Sequence, residues 1–106
     1  MSVDEVLQKA ASFYDLEYML RLTQEECGEL TAAVNRFLRH DRPESKDELM
    51  RQMKEEVTDV MKCCRVLRSM LGADELDMID CAKALRWRDR MARAESLLDR
   101  LEDDYK

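Results

Sequence analysis

Helix-breaking residues are almost absent from this chain, and their scarcity limits the possible folds more than any other feature. Only two glycines and one proline occur in 106 residues. Between them, apolar side chains recur every three or four positions, which is the spacing of one face of an α-helix. Sheets need turn residues and β-branched side chains that this chain largely lacks. The sequence therefore predicts an all-α protein.

The few breaks divide the chain into segments with helical spacing. One break runs from His40 to Pro43, where proline cannot continue a helix, and another is Gly72, which can adopt a positive φ. Because the connections between the segments are short, neighbouring helices should run antiparallel in an up-and-down bundle of four to five helices. The predicted helices cover residues 3–12, about 15–39, 46–71 and 75–103.

Several polar residues stand where helix N-caps are needed. Ser2 precedes the first predicted helix, and either Ser12 or Asp15 precedes the second. Ser45 resembles the start of a capping box, because a glutamate follows it three residues later. Asp74 is the expected cap of the fourth helix.

Charge and cysteine content restrict the possible partners and compartment. A formal charge of -6 and a pI near 4.9 argue against binding to a nucleic-acid polymer. No leader and no apolar run long enough to cross a bilayer is evident, so we expect a single-domain cytoplasmic protein with no membrane partner. The four cysteines lack the spacing of a zinc site and are expected to be buried, reduced thiols.

Four carboxylates form two pairs with the same spacing. Glu26 and Glu29 lie in QEECGEL, and Glu56 and Asp59 lie in KEEVTDV. Residues three apart on a helix lie one turn above each other, so each pair directs two carboxylates to one side. Two such helices packed together would gather four anions that repel each other unless a cation lies between them. Mg²⁺ suits such a site and would keep waters and substrate phosphates as further ligands.

These pairs also have a simpler interpretation. The chain contains 24 acidic residues, so pairs three or four apart often arise by chance on solvated helix faces. The occurrence of both pairs beside apolar stripes, on consecutive antiparallel helices, favours a site. Glu25 and Glu55, which precede the two motifs, are candidates for orienting or deprotonating water. Gly28 is unfavourable within a helix, so we expect a helix or ligand to approach it closely.

A group of basic and aromatic residues interrupts the apolar stripe of the fourth helix. Lys83, Trp87 and Arg90 share the angular band of the apolar positions Leu76, Ile79, Ala94, Leu97 and Leu101. Burying an unpaired cation is unfavourable, so these cations should meet anions, either the four carboxylates or a bound triphosphate. Alternatively, their long stems extend along the surface and their charges pair with surface acids.

The acidic motifs resemble those of a known family. ExxE at Glu26 to Glu29, followed after 26 residues by ExxD at Glu56 to Asp59, looks like the signature of the all-α, MazG-like nucleoside triphosphate pyrophosphohydrolases. The resemblance extends to EExxEL and EExxDV around these motifs and to a later lysine and arginine. It covers roughly residues 15–92.

The resemblance implies hydrolysis of a (deoxy)nucleoside triphosphate to the monophosphate and pyrophosphate, in housecleaning of the nucleotide pool. Its implied cofactor is Mg²⁺, with Mn²⁺ as a possible substitute, and its implied assembly is a homodimer or homotetramer. The implied metal ligands are Glu26, Glu29, Glu56 and Asp59. Lys83 and Arg90 would bind phosphate. Trp87 stands where family members often have asparagine, and the indole could instead stack on the base.

Two other functions remain open at this point. The chain could be a non-catalytic helical interaction or regulatory module whose acids only keep it soluble. It could also hold a pair of transition metals, as ferritin-like bundles do. That site normally needs Glu-x-x-His ligands, and the only histidine, His40, lies in the predicted break.

Overall fold

The computed structural model describes residues 1–39 and 45–105, and all regular secondary structure in these ranges is α-helical. The prediction of an all-α protein is confirmed for this part of the chain. The predicted break from His40 to Pro43 lies outside the described residues. The four helices are α1 (Val3–Phe13), α2 (Leu16–Arg39), α3 (Lys46–Leu71) and α4 (Ala73–Asp104).

Three predicted N-caps are confirmed. In each, a side-chain oxygen accepts the backbone N–H three residues later, which satisfies a donor that the first turn of a helix leaves free. Ser12, the alternative to Asp15, instead donates its hydroxyl to the carbonyl of Lys9. The confirmed caps are Ser2, Asp15 and Ser45, with donor–acceptor distances of 3.1, 2.7 and 3.1 Å.

Gly72 alone separates α3 from α4. Its φ of 108° confirms the predicted positive φ at the end of α3. The prediction that Asp74 caps α4 is wrong, because α4 begins at Ala73 and Gly72 holds the N-cap position without a side-chain bond. A single glycine can redirect the backbone at once. Asp74 therefore lies in the first helical turn, where its charge interacts favourably with the helix dipole.

The chain divides into two compact units, Met1–Leu71 and Gly72–Lys106. In the first unit, α2 and α1 both pack on α3. Met19 of α2 clusters with Cys63 and Val66 of α3, whereas Glu26 lies opposite Glu56. Later positions of α2 thus meet earlier positions of α3. The two helices run antiparallel, as the short connection predicted.

The core of the first unit is small and apolar. One buried cluster contains Met19, Cys63 and Val66, and α1 covers it with Leu7, Ala10 and Ala11. Burial of these side chains is the main force that holds α1 and α2 to α3. An ion pair between Asp4 and Arg65 also joins α1 to α3.

The prediction that the cysteines are buried is right only for Cys63. The thiols of Cys27, Cys64 and Cys81 are exposed, and all four cysteines are free. Adjacent residues on a helix point about 100° apart. Cys64 therefore faces away from the core that Cys63 enters.

The second unit consists of α4, which carries no buried residue. The apolar stripe expected to be buried on this helix is therefore not buried in the single chain. Trp87 is 66% exposed and Met91 is 59% exposed. Within residues 1–39 and 45–105, no helix has both the length and the apolar character needed to span a bilayer.

Candidate metal centre

Three of the four predicted metal ligands converge between α2 and α3. Glu26, Glu29 and Glu56 each offer a carboxylate oxygen, and these three oxygens lie within 4.8 Å of one another. Glu26 and Glu29 are brought together by the helical rise over three residues, and Glu56 is brought to them by the antiparallel packing. Two helices distant in sequence thus contribute to one cluster.

Two oxygens in this cluster have no hydrogen-bond partner. Glu26 Oε2 and Glu56 Oε2 are both inaccessible to solvent, and no donor in the described part of the chain satisfies either. Buried polar atoms are normally hydrogen-bonded, because desolvation without compensation is unfavourable. These two oxygens therefore lack the electropositive partner that buried acceptors normally have.

The electrostatics of the cluster oppose full ionisation. Burial is the largest cause that raises the pKa of Glu26 above its ordinary value. The negative charges of Glu29, Asp59 and Glu56 raise this pKa further. The pKa of Glu56 is also raised, first by burial and then by the charge of Glu29 and a hydrogen bond with it. A proton or a metal cation would relieve the same repulsion.

Asp59, the fourth predicted ligand, is half-buried and lies close to the cluster. Its charge contributes to the raised pKa values of both Glu26 and Glu56. The carboxylate oxygens that lie within 4.8 Å of one another belong to the three glutamates, and Asp59 contributes none of them. The structure thus places Asp59 beside the cluster.

Glu55, one of the two candidate proton acceptors, is already engaged by a cation. Its carboxylate forms an exposed ion pair with Arg51, one helical turn earlier on α3. Arg51 also binds Glu48 through two N–H groups, at 3.0 and 2.5 Å. This arginine lowers the pKa of Glu48 below its ordinary value, mainly through those hydrogen bonds.

Glu25, the other candidate, lies on the exposed side of α2. It lines a shallow surface depression with Tyr18, Arg21 and Leu22. The guanidinium of Arg21 binds Glu17, at 2.8 Å, rather than Glu25. The carboxylate of Glu25 is therefore accessible from solvent.

The predicted substrate-binding residues Lys83, Trp87 and Arg90 all lie on α4. Each is exposed, and the three follow one another at intervals of four and three residues on one side of that helix. Their common face agrees with the sequence prediction. They belong to the second unit, and the acidic residues belong to the first.

Gly28 does not make the close contact that the sequence predicted. A Cβ atom built at this position meets nothing within 4 Å among the described residues. Gly28 lies on the exposed side of α2, between the two motif glutamates. The structure gives no packing reason for glycine here.

The buried thiol of Cys63 lies near the acidic cluster, because the charges of Glu26 and Asp59 contribute to its raised pKa. Cys63 is 5% exposed, and burial raises the pKa of its thiol, although a hydrogen bond with Thr23 lowers it in part. Thr23 in turn donates to the carbonyl of Met19 at 2.6 Å. A protonated thiol is a poor metal ligand, so the site offers oxygen donors.

Sequence reasoning missed two cations that share a surface depression with Asp59. Arg51 and Lys54 line a surface depression on α3 together with Glu55, Thr58 and Asp59. A signal for Arg51 existed, because it follows Glu48 by three residues and precedes Glu55 by four. That spacing indicated ion pairs on a solvated helix face. It did not indicate that Arg51 and Lys54 lie beside Asp59.

The donor set suits a hard divalent cation. Carboxylate oxygens are the ligands that Mg²⁺ and Mn²⁺ prefer, whereas zinc and copper sites usually include nitrogen or sulfur. Glu26, Glu29 and Glu56 could hold such a cation, with Asp59 as a nearby fourth carboxylate. Solvent access on the Glu29 side leaves space for further ligands.

Comparison of the chain with protein-family models, with curated proteins and with solved structures finds no match in any of the three. The interpretation of the site therefore depends on its own residues and geometry.

Proposed function

We propose that this chain is a magnesium-dependent nucleoside triphosphate pyrophosphohydrolase. The observation that carries the proposal is the convergence of Glu26, Glu29 and Glu56 within 4.8 Å from two helices. Two buried oxygens of this group lack a hydrogen-bond partner in the described residues, which supports a cation there over a solvated acidic face. The resemblance of the motifs to MazG-like pyrophosphohydrolases supplies the reaction.

The residues of the first unit have distinct roles in this proposal. Glu26, Glu29, Glu56 and Asp59 would bind Mg²⁺, with Mn²⁺ as a substitute. A bound Mg²⁺ lowers the pKa of a coordinated water and neutralises charge on phosphate oxygens. Because α2 packs antiparallel against α3, the carboxylates would already be in position before substrate binds. Little of their side-chain freedom would then have to be lost at each turnover.

Proton transfer needs a carboxylate that the metal does not fully occupy. Glu25 precedes Glu26 in sequence, is exposed, and lies outside any ion pair among the described residues. Glu55 is paired with Arg51 through one of its two carboxylate oxygens. Both glutamates are candidates for the general base, and they differ in whether a cation already binds the carboxylate.

Phosphate and base recognition are proposed for α4. Lys83 offers a compact positive charge, and Arg90 offers a planar fork that matches phosphate oxygens. Trp87, which is 66% exposed, presents a ring on which a nucleobase could stack. The products would be the nucleoside monophosphate and pyrophosphate, in keeping with housecleaning of the nucleotide pool in the cytoplasm.

A homodimer or homotetramer is part of the same proposal. Large apolar side chains on α4 are exposed in the single chain, including Met78 at 75% and Leu98 at 60%. Exposed apolar side chains along one helix are typical of an interface. In this assembly a second copy would cover them.

The proposal is tested by incubating the protein with ribo- and deoxyribonucleoside triphosphates, with and without Mg²⁺. Pyrophosphate and orthophosphate are detected separately. We expect release of pyrophosphate and the monophosphate only when Mg²⁺ is present. Absence of turnover for every triphosphate, or release of orthophosphate instead, would refute the proposed reaction.

A pair of variants connects the activity to the cluster. Glu56→Gln removes a ligand charge but keeps the shape of the side chain, so turnover should fall by about a hundredfold or more while the helical circular dichroism is unchanged. Glu17→Gln, an exposed acid on α2, serves as the control and should retain activity. Equal activity of both variants would contradict the assignment.

The exposed surface of α4 also favours a second candidate, a non-catalytic helical interaction or regulatory module. No residue of α4 is buried in the single chain. An interaction module would bind its partner equally well with or without Mg²⁺ and would release no pyrophosphate. The triphosphate screen therefore separates the two functions.

A further inference from the structure

We infer that Arg51 and Lys54 bind the phosphate chain of the substrate, and that phosphate displaces Glu55 from Arg51 when it binds. This inference rests on the proposed function and adds two residues that the family resemblance does not include. It also makes the availability of Glu55 depend on the substrate. The relevant surface lies on α3 within the first unit.

The surface adjoins the candidate metal centre. It is an open depression of about 290 Å³, lined by Arg51, Lys54, Glu55, Thr58 and Asp59. Asp59 is shared with the acidic cluster, because its charge raises the pKa of both Glu26 and Glu56. A phosphate chain bound to a cation at the cluster would therefore extend beside these two basic residues.

Arg51 holds its two carboxylate partners differently. It binds Glu48 through Nε at 3.0 Å and Nη2 at 2.5 Å, one bond to each carboxylate oxygen. It binds Glu55 through Nη1 alone. A bidentate pair is more strongly held than a single hydrogen bond, so Glu48 fixes the guanidinium and Glu55 is the partner that can be exchanged.

The pair of Arg51 and Glu55 is also exposed on both sides. The side chains are 56% and 60% accessible, respectively. Exposed ion pairs within a helix contribute little to stability, because solvent competes for both charges. A phosphate group carries more charge and more acceptor oxygens than a carboxylate, so it can replace Glu55 at Nη1.

Lys54 supplies a second positive charge to the same surface. In the described ranges no ion pair joins its ammonium group to a carboxylate. The neighbouring Thr58 hydroxyl donates to the backbone carbonyl of Lys54 at 2.9 Å, so the ammonium group is not engaged by it. Lysine can therefore follow a phosphate along this surface as a flexible point charge.

The exchange has a consequence for the reaction. Glu55 is adjacent in sequence to Glu56, a proposed metal ligand. Once phosphate occupies Arg51, the carboxylate of Glu55 loses its cationic partner and is free to contact water or substrate. Binding of the phosphate chain would thus release a carboxylate beside the site only when substrate is present.

Calorimetric titration with inorganic tripolyphosphate in the presence of Mg²⁺ tests the inference without needing turnover. Arg51→Gln and Lys54→Gln should each weaken binding by about tenfold. Arg21→Gln is the matched control, since Arg21 is also an exposed arginine paired with a glutamate one turn away. It should bind tripolyphosphate as the wild type does, and all variants should keep wild-type circular dichroism.

Glu55→Gln tests the exchange itself. If Glu55 competes with phosphate for Arg51, Glu55→Gln should tighten tripolyphosphate binding about threefold or more when Arg51 is present. The same substitution should have no effect in the Arg51→Gln background. An equal gain in both backgrounds would indicate general charge repulsion and would overturn the exchange.

Failure of the inference can be distinguished from failure of the proposed function. If Arg51→Gln and Lys54→Gln bind tripolyphosphate as tightly as the wild type, the inference is overturned. If pyrophosphate release still depends on Glu56 in that case, the proposed function stands. Weakened tripolyphosphate binding in those variants, in a wild type that hydrolyses no nucleoside triphosphate, would support the phosphate surface and refute the function.

Discussion

Glu26 and Glu56 lie on antiparallel helices and bring carboxylate oxygens within 4.8 Å of each other. Each also keeps one buried oxygen that no donor among the described residues satisfies. Two partly desolvated carboxylates at this distance repel each other unless a proton or a cation is present. This relationship determines how the stability of the protein should respond to pH and to metal ions.

The first prediction concerns pH in the presence of a chelator. A carboxyl group whose pKa is raised on folding holds its proton more tightly in the folded chain. Between the ordinary value of 4.5 and the raised values, the folded chain therefore binds more protons than the unfolded chain. The contribution of these two groups to the free energy of unfolding should fall as pH rises through this window, then level off. Urea denaturation between pH 4.5 and 8 measures it.

The variant Glu26→Gln/Glu56→Gln isolates this contribution from that of the other acids. Relative to the wild type, the double variant should become more stable as pH rises through the same window. A difference between the two proteins that does not change with pH would contradict the raised pKa values.

The second prediction concerns metal ions at neutral pH. Mg²⁺ or Mn²⁺ should stabilise the folded chain, because binding relieves the repulsion among Glu26, Glu29 and Glu56. At a free concentration one hundred times the dissociation constant, the gain is about 2.7 kcal/mol. Thermal denaturation with and without the ion measures the shift. Glu26→Gln/Asp59→Asn should lose the shift, whereas Glu17→Gln should keep it.

The third prediction concerns Gly28. A Cβ here would meet no described atom within 4 Å, and the position is inside a regular helix. Gly28→Ala should therefore raise the free energy of unfolding by about 0.5–1 kcal/mol, by reducing the freedom of the unfolded chain. Chemical denaturation in a chelator measures this change. A loss of stability would mean that something approaches Gly28 in the folded protein.

The fourth prediction is the opposite result at the other glycine. Gly72 has a φ of 108°, which side chains with a Cβ rarely adopt. Gly72→Ala should lower the free energy of unfolding by about 1–2 kcal/mol, even though the Cβ would meet no described atom within 4 Å. The same denaturation assay compares the two glycine variants directly. Equal effects at both positions would contradict the difference in backbone conformation.

The fifth prediction concerns thiol reactivity. Cys27, Cys64 and Cys81 are exposed, whereas Cys63 is buried and its pKa is raised mainly by that burial. With a disulfide reagent at neutral pH, three thiols should react quickly and one only on unfolding. In Cys63→Ala the slow phase should disappear while the three fast thiols remain. Four equally fast thiols in the wild type would show that the core opens readily.

Much of the local structure could be predicted from short-range features. Ser2, Asp15 and Ser45 each cap a helix, because a capping bond involves residues only three apart. The prediction for Asp74 failed because α4 begins at Ala73, with Gly72 in the N-cap position. Arg51 was missed because its helical spacing indicated only ion pairs, and spacing cannot show what lies beside them.

The sequence by itself determined the all-α architecture, the positions of the helices and the two acidic pairs, since each depends on periodicity and local chemistry. Only the tertiary structure decided that Glu56 reaches Glu26 and Glu29, that Asp59 stands beside them, and that Cys63 alone among the cysteines is buried. The physical reason is that periodicity defines the faces of a helix. The packing of one helix on another depends on the whole buried surface. This packing selects which side chains meet and how deeply each is buried.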